Sequence, residues 1–277
     1  MTIVSPAQLI AASSGTGVAA FNIITLEHLD AFIGAAEDSR AGVILQLSQN
    51  AVAYHGDLEA IGTAILQRAR RSSVDLAVQL DHAGDVDLVR AAAELGFTSI
   101  MYDGSTLDYA DNVAMTTLLV AELHGRGIWV EAELGEIGGK DGVHAATART
   151  DPHEAVDFVT ATGVDGLAIA VGSSHAMTDK SARLDVALIE AIHAFVPVPL
   201  VLHGSSGIAD ALILDAVRAG ISKVNFGTRF NVVMTDAIRA YLQEHPEVSD
   251  PRRYLAASRA AMRSDAETLL EVLAGAP

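Results

Sequence analysis

Residues 76–104 read LAVQLDHAGDVDLVRAAAELGFTSIMYDG, and this stretch sets the pattern of the whole chain. Residues 76–81 form a short apolar run, the length of a strand, that ends on an acid and is followed by an imidazole, His82. Residues 86–95 then repeat apolar side chains at three- and four-residue spacing, the helical period. Gly96 stands where a helix leaves its last carbonyls through a left-handed residue. Residues 98–102 are a second short apolar run, ending beside Asp103. A strand, a one-faced helix and a strand in this order predict a parallel crossover unit.

The same unit recurs on both sides. Strands are predicted at 18–23, 43–48, 128–134, 166–171, 199–203 and 223–226, and helices at 26–38, 58–71, 106–124, 152–162, 186–195, 209–219 and 229–244. Gly127, Gly163 and Gly220 follow helical stretches as Gly96 does, and Asp151-Pro152 reads as an N-cap with proline in the first turn. About eight such units make either a closed parallel barrel or an open doubly wound sheet. The open sheet's phosphate fingerprint, G-x-G-x-x-G after the first strand, is missing; Gly15-Thr16-Gly17 precedes that strand. No Ser/Gly linker or charge block divides the chain. The expectation is an α/β protein, one (β/α)8 TIM barrel over residues 1–277, with residues 250–273 as an added C-terminal helix. The glycine-rich segment 135–151 reads as a long mobile loop.

Composition excludes several classes. Half of the 277 residues are hydrophobic, so a large core is available, yet no apolar run reaches the ~18–20 residues of a membrane span. A basic stretch followed by an apolar block is missing after Met1, which argues against a secretory signal and for a cytoplasmic protein. The net charge of −17 disfavours nucleic acid as a partner, though a small phosphate can still be held by backbone N–H groups at a helix N-terminus. Cysteine is absent, so any metal must take nitrogen and oxygen ligands.

In a barrel of this kind chemistry sits at the C-terminal ends of the strands. Those positions hold Asn22, Ser48, Asp81, His82, Asp103, Glu131, Glu133, His175, His203 and Asn225. Polar groups recurring at one end of apolar strands are costly unless they share a site. His82, His175 and His203 come from three different strands, the ligand number of a catalytic zinc that keeps one position open. The other seven histidines, His28, His124, His193 and His245 among them, read as surface groups. Asp81 reads either as a carboxylate orienting an imidazole or as a general acid/base beside the metal. Asp103 and Glu133 read as alternate ligands, supporting groups or salt-bridge partners. The turns at Gly204-Ser205-Ser206-Gly207 and Asn225-Phe226-Gly227-Thr228 each lead from a strand into a helix, a pattern that exposes backbone N–H groups to phosphate.

At these residues the sequence resembles the class II, zinc-dependent fructose- and tagatose-bisphosphate aldolases. The resemblance rests on an ordered set: Ala20-Phe21-Asn22, Gln46-Leu47-Ser48, Leu80-Asp81-His82, Ser99 to Ser105, Glu131-Ala132-Glu133-Leu134-Gly135, Gly138-Gly139, His175, His203-Gly204 with Ser206-Gly207, Lys223-Val224-Asn225 with Thr228, and Asp250 to Leu255. It implies a zinc ion on His82, His175 and His203, with Glu133 as an alternate ligand. It implies that Asp81 handles the proton of the C4 hydroxyl, that Asn225 contacts the enediolate, and that Asp141 on the loop after the fifth strand moves the proton at C3. Asn22, Ser48, Gly204, Ser206 and Thr228 then bind the substrate and its phosphate, helped by a monovalent cation (Na+ or K+). The reaction implied is reversible cleavage of the C3–C4 bond of a ketose (bis)phosphate to dihydroxyacetone phosphate and an aldehyde, by a homodimer or homotetramer.

The sequence departs from the family at Lys140-Asp141-Gly142, where glutamate then aspartate is usual, at Ala176 and Thr178 after His175, and at Ser205, where glycine is usual. Gly227 stands where fructose-specific members often carry aspartate. These changes bear on the sugar more than on the metal, and they motivate two other readings. One is a metal-dependent aldolase or epimerase acting on a different ketose; the other is a non-catalytic, metal-stabilised sugar-binding protein. A Schiff-base route is disfavoured, because only Lys140, Lys180 and Lys223 exist and none ends a strand.

Overall fold

The computed structural model describes residues 3–134, 149–173 and 183–275. Eight parallel strands close into a barrel in sequence order: β1 (Val18–Asn22), β2 (Val43–Ser48), β3 (Leu76–Ala83), β4 (Ser99–Tyr102), β5 (Trp129–Leu134), β6 (Gly166–Ile169), β7 (Leu200–Leu202) and β8 (Ile221–Phe226). β8 pairs with β1, Ala20 lying opposite Asn225, so no strand edge is left open. Helices α1 (Pro6–Ala12), α2 (Leu26–Ser39), α3 (Gln49–His55), α4 (Glu59–Ala69), α5 (Val86–Leu95), α6 (Tyr109–His124), α7 (Pro152–Thr162), α8 (Val186–Phe195), α9 (Asp210–Arg218), α10 (Thr228–Glu244) and α11 (Pro251–Leu273) complete the described residues. This is the (β/α)8 barrel with an added C-terminal helix that the strand–helix alternation predicts. No described helix is long and apolar enough to cross a membrane.

Alternation along each strand separates two cores. Outward residues such as Phe21, Leu45, Val78, Ile100 and Phe226 pack against the helices. There Phe21 and Phe32 stack with ring centroids 4.8 Å apart, and Phe230 meets Phe32 edge-on at 4.6 Å. Inward residues fill the barrel in layers. Val18, Ala20, Ile44 and Ala77 form an apolar floor, and Leu9 of α1 packs onto it from below. Gly166 leaves room inside for the Trp129 ring, which would lie 2.4 Å from any Cβ at that position.

Two helices were not predicted. α1 and α3 are seven residues each, too short to show a period. Ser5-Pro6 and Gln8 nonetheless carry a start signal: Pro6 opens α1 and the Ser5 N–H donates to Gln8 Oε1 at 3.0 Å. The predicted loop at 135–151 lies outside the described residues up to 148. Its last residue, Asp151, caps α7 through the N–H groups of His153 and Glu154, as predicted.

His28 corrects the reading of it as a surface group: it is only 2% exposed. It occupies the third position of α2, where its Nδ1 lies 3.4 Å from the Thr25 N–H donor and 3.1 Å from Thr25 Oγ1, and its ring meets Phe32. An imidazole there does the work of the usual glutamate or glutamine of a capping box, at the cost of burying a titratable ring. Burial lowers its pKa from 6.5 to about 4, against a weaker upward pull from Glu27. The unfolded chain therefore takes up this proton first as pH falls. His28 thus contributes stability that is complete above pH 6.5 and is lost down to about pH 4, on the order of 3 kcal/mol in full. His28→Gln keeps the cap without the titration. Urea unfolding at several pH values is expected to show a shallower loss of stability between pH 6.5 and 4 in the variant than in the parent.

Candidate metal centre and active site

The polar residues at the strand ends meet at one mouth. Asp81 and His82 are consecutive, and residues of a regular strand point to opposite faces. The β3–β4 register resolves this: Leu80 pairs with Ile100 but Ala83 with Tyr102, so β3 holds one extra residue, a bulge. His82 sits in it with φ +48°, a left-handed conformation that costs a non-glycine residue about 1–2 kcal/mol. The bulge turns both side chains toward the mouth.

His82 Nδ1 lies 2.9 Å from Asp103 Oδ2 and 3.6 Å from Glu133 Oε2. His203, fully buried beyond β7, places Nε2 at 3.0 Å from Glu131 Oε1. Ionised carboxylates only accept hydrogen bonds, so these outer nitrogens carry the ring protons. The inner nitrogens, His82 Nε2 and His203 Nδ1, then face each other at 3.0 Å with their lone pairs. Two lone pairs at that distance repel unless a cation or a proton lies between them. An imidazole whose far nitrogen is fixed on a carboxylate is the usual form of a metal-bound histidine. The ligating atoms of Asp81, His82 and His203 lie within 4.8 Å of one another, as do those of His82, Asp103 and Glu133. Imidazoles and carboxylates without thiols suit a divalent cation such as zinc.

Asp81 is buried and held from two sides: Asn22 Nδ2 donates to Oδ2 at 2.8 Å and Gln46 Nε2 to Oδ1 at 3.2 Å. Burial pushes its carboxyl up, but the electrostatic pull of His82, His203 and Lys223 and the Asn22 hydrogen bond outweigh it, so the pKa lies below the ordinary value. A bound cation acts in the same direction. Asn225 puts Nδ2 at 3.2 Å from both His203 ring nitrogens, while its buried Oδ1 has no hydrogen-bond partner among the described residues. A buried acceptor of this kind calls for a partner, which a bound ligand can supply.

The two turns predicted to hold phosphate are joined. Gly204 takes φ +66° and leads into a single 3-10 turn, Ser205–Gly207. Ser206 Oγ accepts the Arg229 N–H at 2.9 Å, which ties this turn to the start of α10, where Thr228 is the first helical residue. Gly227 before it offers no side-chain cap, leaving N–H groups of that helix start to other acceptors. Ser205, where the resemblance leads one to expect glycine, is buried and turns its hydroxyl onto the Asn225 carbonyl. Ser48 lies opposite Asp81 on the neighbouring strand and caps α3, its Oγ accepting the Ala51 N–H at 3.1 Å. His175 and Asp141 lie outside the described residues.

Sequence reasoning missed the layer beneath. Gln79, Glu131 and Lys223 are each fully buried. Lys223 Nζ donates to Glu131 Oε2 at 2.6 Å and Gln79 Nε2 to the same oxygen at 3.2 Å. Glu131 stands among the strand-end residues, whereas Gln79 and Lys223 lie deeper in their strands. Each stands two residues before a mouth residue (Asp81, Glu133 and Asn225), so the period-two alternation of the strands carried the signal.

A closed parallel barrel whose mouth gathers imidazoles, carboxylates and helix starts is the frame of a metal-dependent enzyme. This chain belongs to the class II fructose-bisphosphate aldolase family, whose sequence profile, "Fructose-bisphosphate aldolase class-II", matches residues 7–276. The family's enzymes are metal-dependent aldolases, and the chain is accordingly a lyase. It is 36% identical over 270 residues to a fructose-bisphosphate aldolase of Geobacillus stearothermophilus, an alignment covering 95% of this chain and 94% of the relative. Among solved structures it is similar to the YdjI aldolase from Escherichia coli K12, with 27% identity and a TM-score of 0.84, covering 99% of this chain and 97% of that one. It also shares its fold with a fructose-bisphosphate aldolase from Campylobacter jejuni, at 21% identity and a TM-score of 0.82, over 98% of this chain and 95% of the other.

Proposed function

We propose that this aldolase makes and breaks the C3–C4 bond of a ketose (bis)phosphate, with dihydroxyacetone phosphate as the three-carbon product and fructose- or tagatose-1,6-bisphosphate as candidate substrates. The observation that carries it is the pair of imidazoles, His82 and His203, whose inner nitrogens face each other at 3.0 Å while each outer nitrogen rests on a carboxylate. These two with His175 would hold zinc, and Glu133 would serve as a ligand in an alternate position. When bound, the metal supplies Lewis acidity toward the oxygens of the ketose.

The remaining work falls to the chain's own residues. Asp81, kept ionised and pinned by Asn22 and Gln46, accepts the C4 hydroxyl proton as the C3–C4 bond opens. Asn225 directs its Oδ1, which has no partner among the described residues, and its amide at the three-carbon fragment. Ser206, whose oxygen already accepts the Arg229 N–H, keeps its own hydroxyl proton to donate to phosphate, beside Thr228 and the open start of α10. Gly204 lets the backbone turn there. The proton at C3 is assigned to Asp141 by the resemblance, as are a sodium or potassium ion at the phosphate and assembly into a homodimer or homotetramer. Gly227 favours a sugar other than the strictly glycolytic one. A panel of ketose mono- and bisphosphates, with release of dihydroxyacetone phosphate as the readout, tests this reading. Cleavage of at least one member is expected, with exchange of the C3 proton of dihydroxyacetone phosphate. No cleavage and no exchange across the panel would refute it.

A further inference from the structure

A buried lysine–glutamate pair inside the barrel is not explained by fold stability. Lys223 and Glu131 are both fully buried, one layer below the mouth, and well-packed apolar side chains commonly serve stability as well as a buried ion pair does. What the pair does reach is His203. Glu131 has two oxygens: Oε2 receives Lys223 Nζ at 2.6 Å and Gln79 Nε2 at 3.2 Å, and Oε1 lies 3.0 Å from His203 Nε2. With Oε2 saturated from below, the carboxylate cannot rotate without breaking two hydrogen bonds, one of them charge-assisted. Oε1 therefore stands fixed under the ring.

We infer that Lys223 is a positioning residue for the metal centre: it anchors Glu131, and Glu131 holds His203 in the tautomer and orientation that present Nδ1 to the mouth. This rests on the metal-dependent reading above. The same barrel shows why the anchor comes from β8. Lys223 and Asn225 are two apart on one strand and face inward on successive layers, so one strand fixes the ring from below through Glu131 and from the side through Asn225 Nδ2. Gln79 and Asp81 repeat the arrangement on β3.

The test pairs two double variants with a measurement on the unaltered protein. In E131L/K223M both charges go, and with them the Glu131 oxygen that meets His203 Nε2. In E131Q/K223M a neutral amide oxygen remains to accept the Nε2 proton. Folding is checked by circular dichroism, and zinc affinity by competition with a chromophoric chelator. E131L/K223M is expected to bind zinc about 10–100-fold more weakly, with an altered visible spectrum when loaded with cobalt, and E131Q/K223M, which keeps the acceptor but lacks the Lys223 anchor, to recover only part of the loss; full recovery would remove Lys223 from the positioning. Unchanged affinity and an unchanged cobalt spectrum in folded E131L/K223M would overturn the inference. So would 15N ring shifts of His203 in the unaltered protein showing Nδ1, not Nε2, as the protonated nitrogen, a measurement that needs no variant to fold. If the unaltered protein binds no metal, the functional reading fails by itself. The Nε2 proton on Glu131 then remains separately readable in the same spectra.

Discussion

Asp81→Asn is expected to lower kcat by about 10²–10⁴-fold with little change in metal content or fold. The substitution keeps the shape of the side chain and removes only its ability to accept and carry a proton. Its new amide must face one of two donors, Asn22 Nδ2 at 2.8 Å or Gln46 Nε2 at 3.2 Å. Gln46 offers the way out, because its Oε1 is buried with no hydrogen-bond partner among the described residues and a flip of its amide turns that acceptor toward position 81. The variant should therefore fold, and its loss should appear in kcat and in kcat/KM together, the mark of an interaction made in the transition state. Steady-state kinetics with zinc content measured on the same sample checks this. A turnover within a few-fold of the parent would remove Asp81 from the chemistry.

Removal of the metal is expected to have the other large effect. Dialysis against a chelator should take activity below about a hundredth, and zinc should restore it, because the chain's own groups then lack the Lewis acid that stabilises charge developing on the substrate. Stability should move as well. A metal that binds only the folded state adds about 4 kcal/mol when present at a thousand times its dissociation constant. His82 Nε2 and His203 Nδ1 face each other at 3.0 Å, a repulsion that a bound cation relieves. Thermal unfolding with and without zinc measures this. Borohydride trapping with substrate is expected to give no adduct at Lys223, which is fully buried and bound to Glu131 at 2.6 Å. Full activity in excess chelator, or a trapped lysine, would reject the metal route.

The barrel was legible because each unit repeats one signal, a short apolar run followed by a helical period, and because the repeats number eight. The strand-end residues were legible for the same reason, since Asn22, Asp81, His203 and Asn225 interrupt runs that are otherwise apolar. What the sequence concealed depends on contacts between distant segments. The bulge at His82 is a matter of register against β4, which no local pattern encodes. The burial of His28 follows from the packing of α2 against Phe32 and its neighbours, and histidine on a helix gives no sign of it. The Lys223–Glu131 pair joins residues 92 positions apart, and a lysine inside an apolar strand reads equally well as a solvated edge. Ser205 shows the reverse case: a family departure visible in sequence whose outcome, a hydroxyl turned onto the Asn225 carbonyl, required the fold.

The left-handed backbone of His82 bears on how this enzyme would change under selection. Glycine occupies φ +48° without steric penalty, whereas an imidazole there gives up roughly 1 kcal/mol. His82→Gly would relieve that strain yet take away the ring that the buried Asp103 and Glu133 carboxylates face, so heat resistance and the metal centre both depend on the side chain at that one codon.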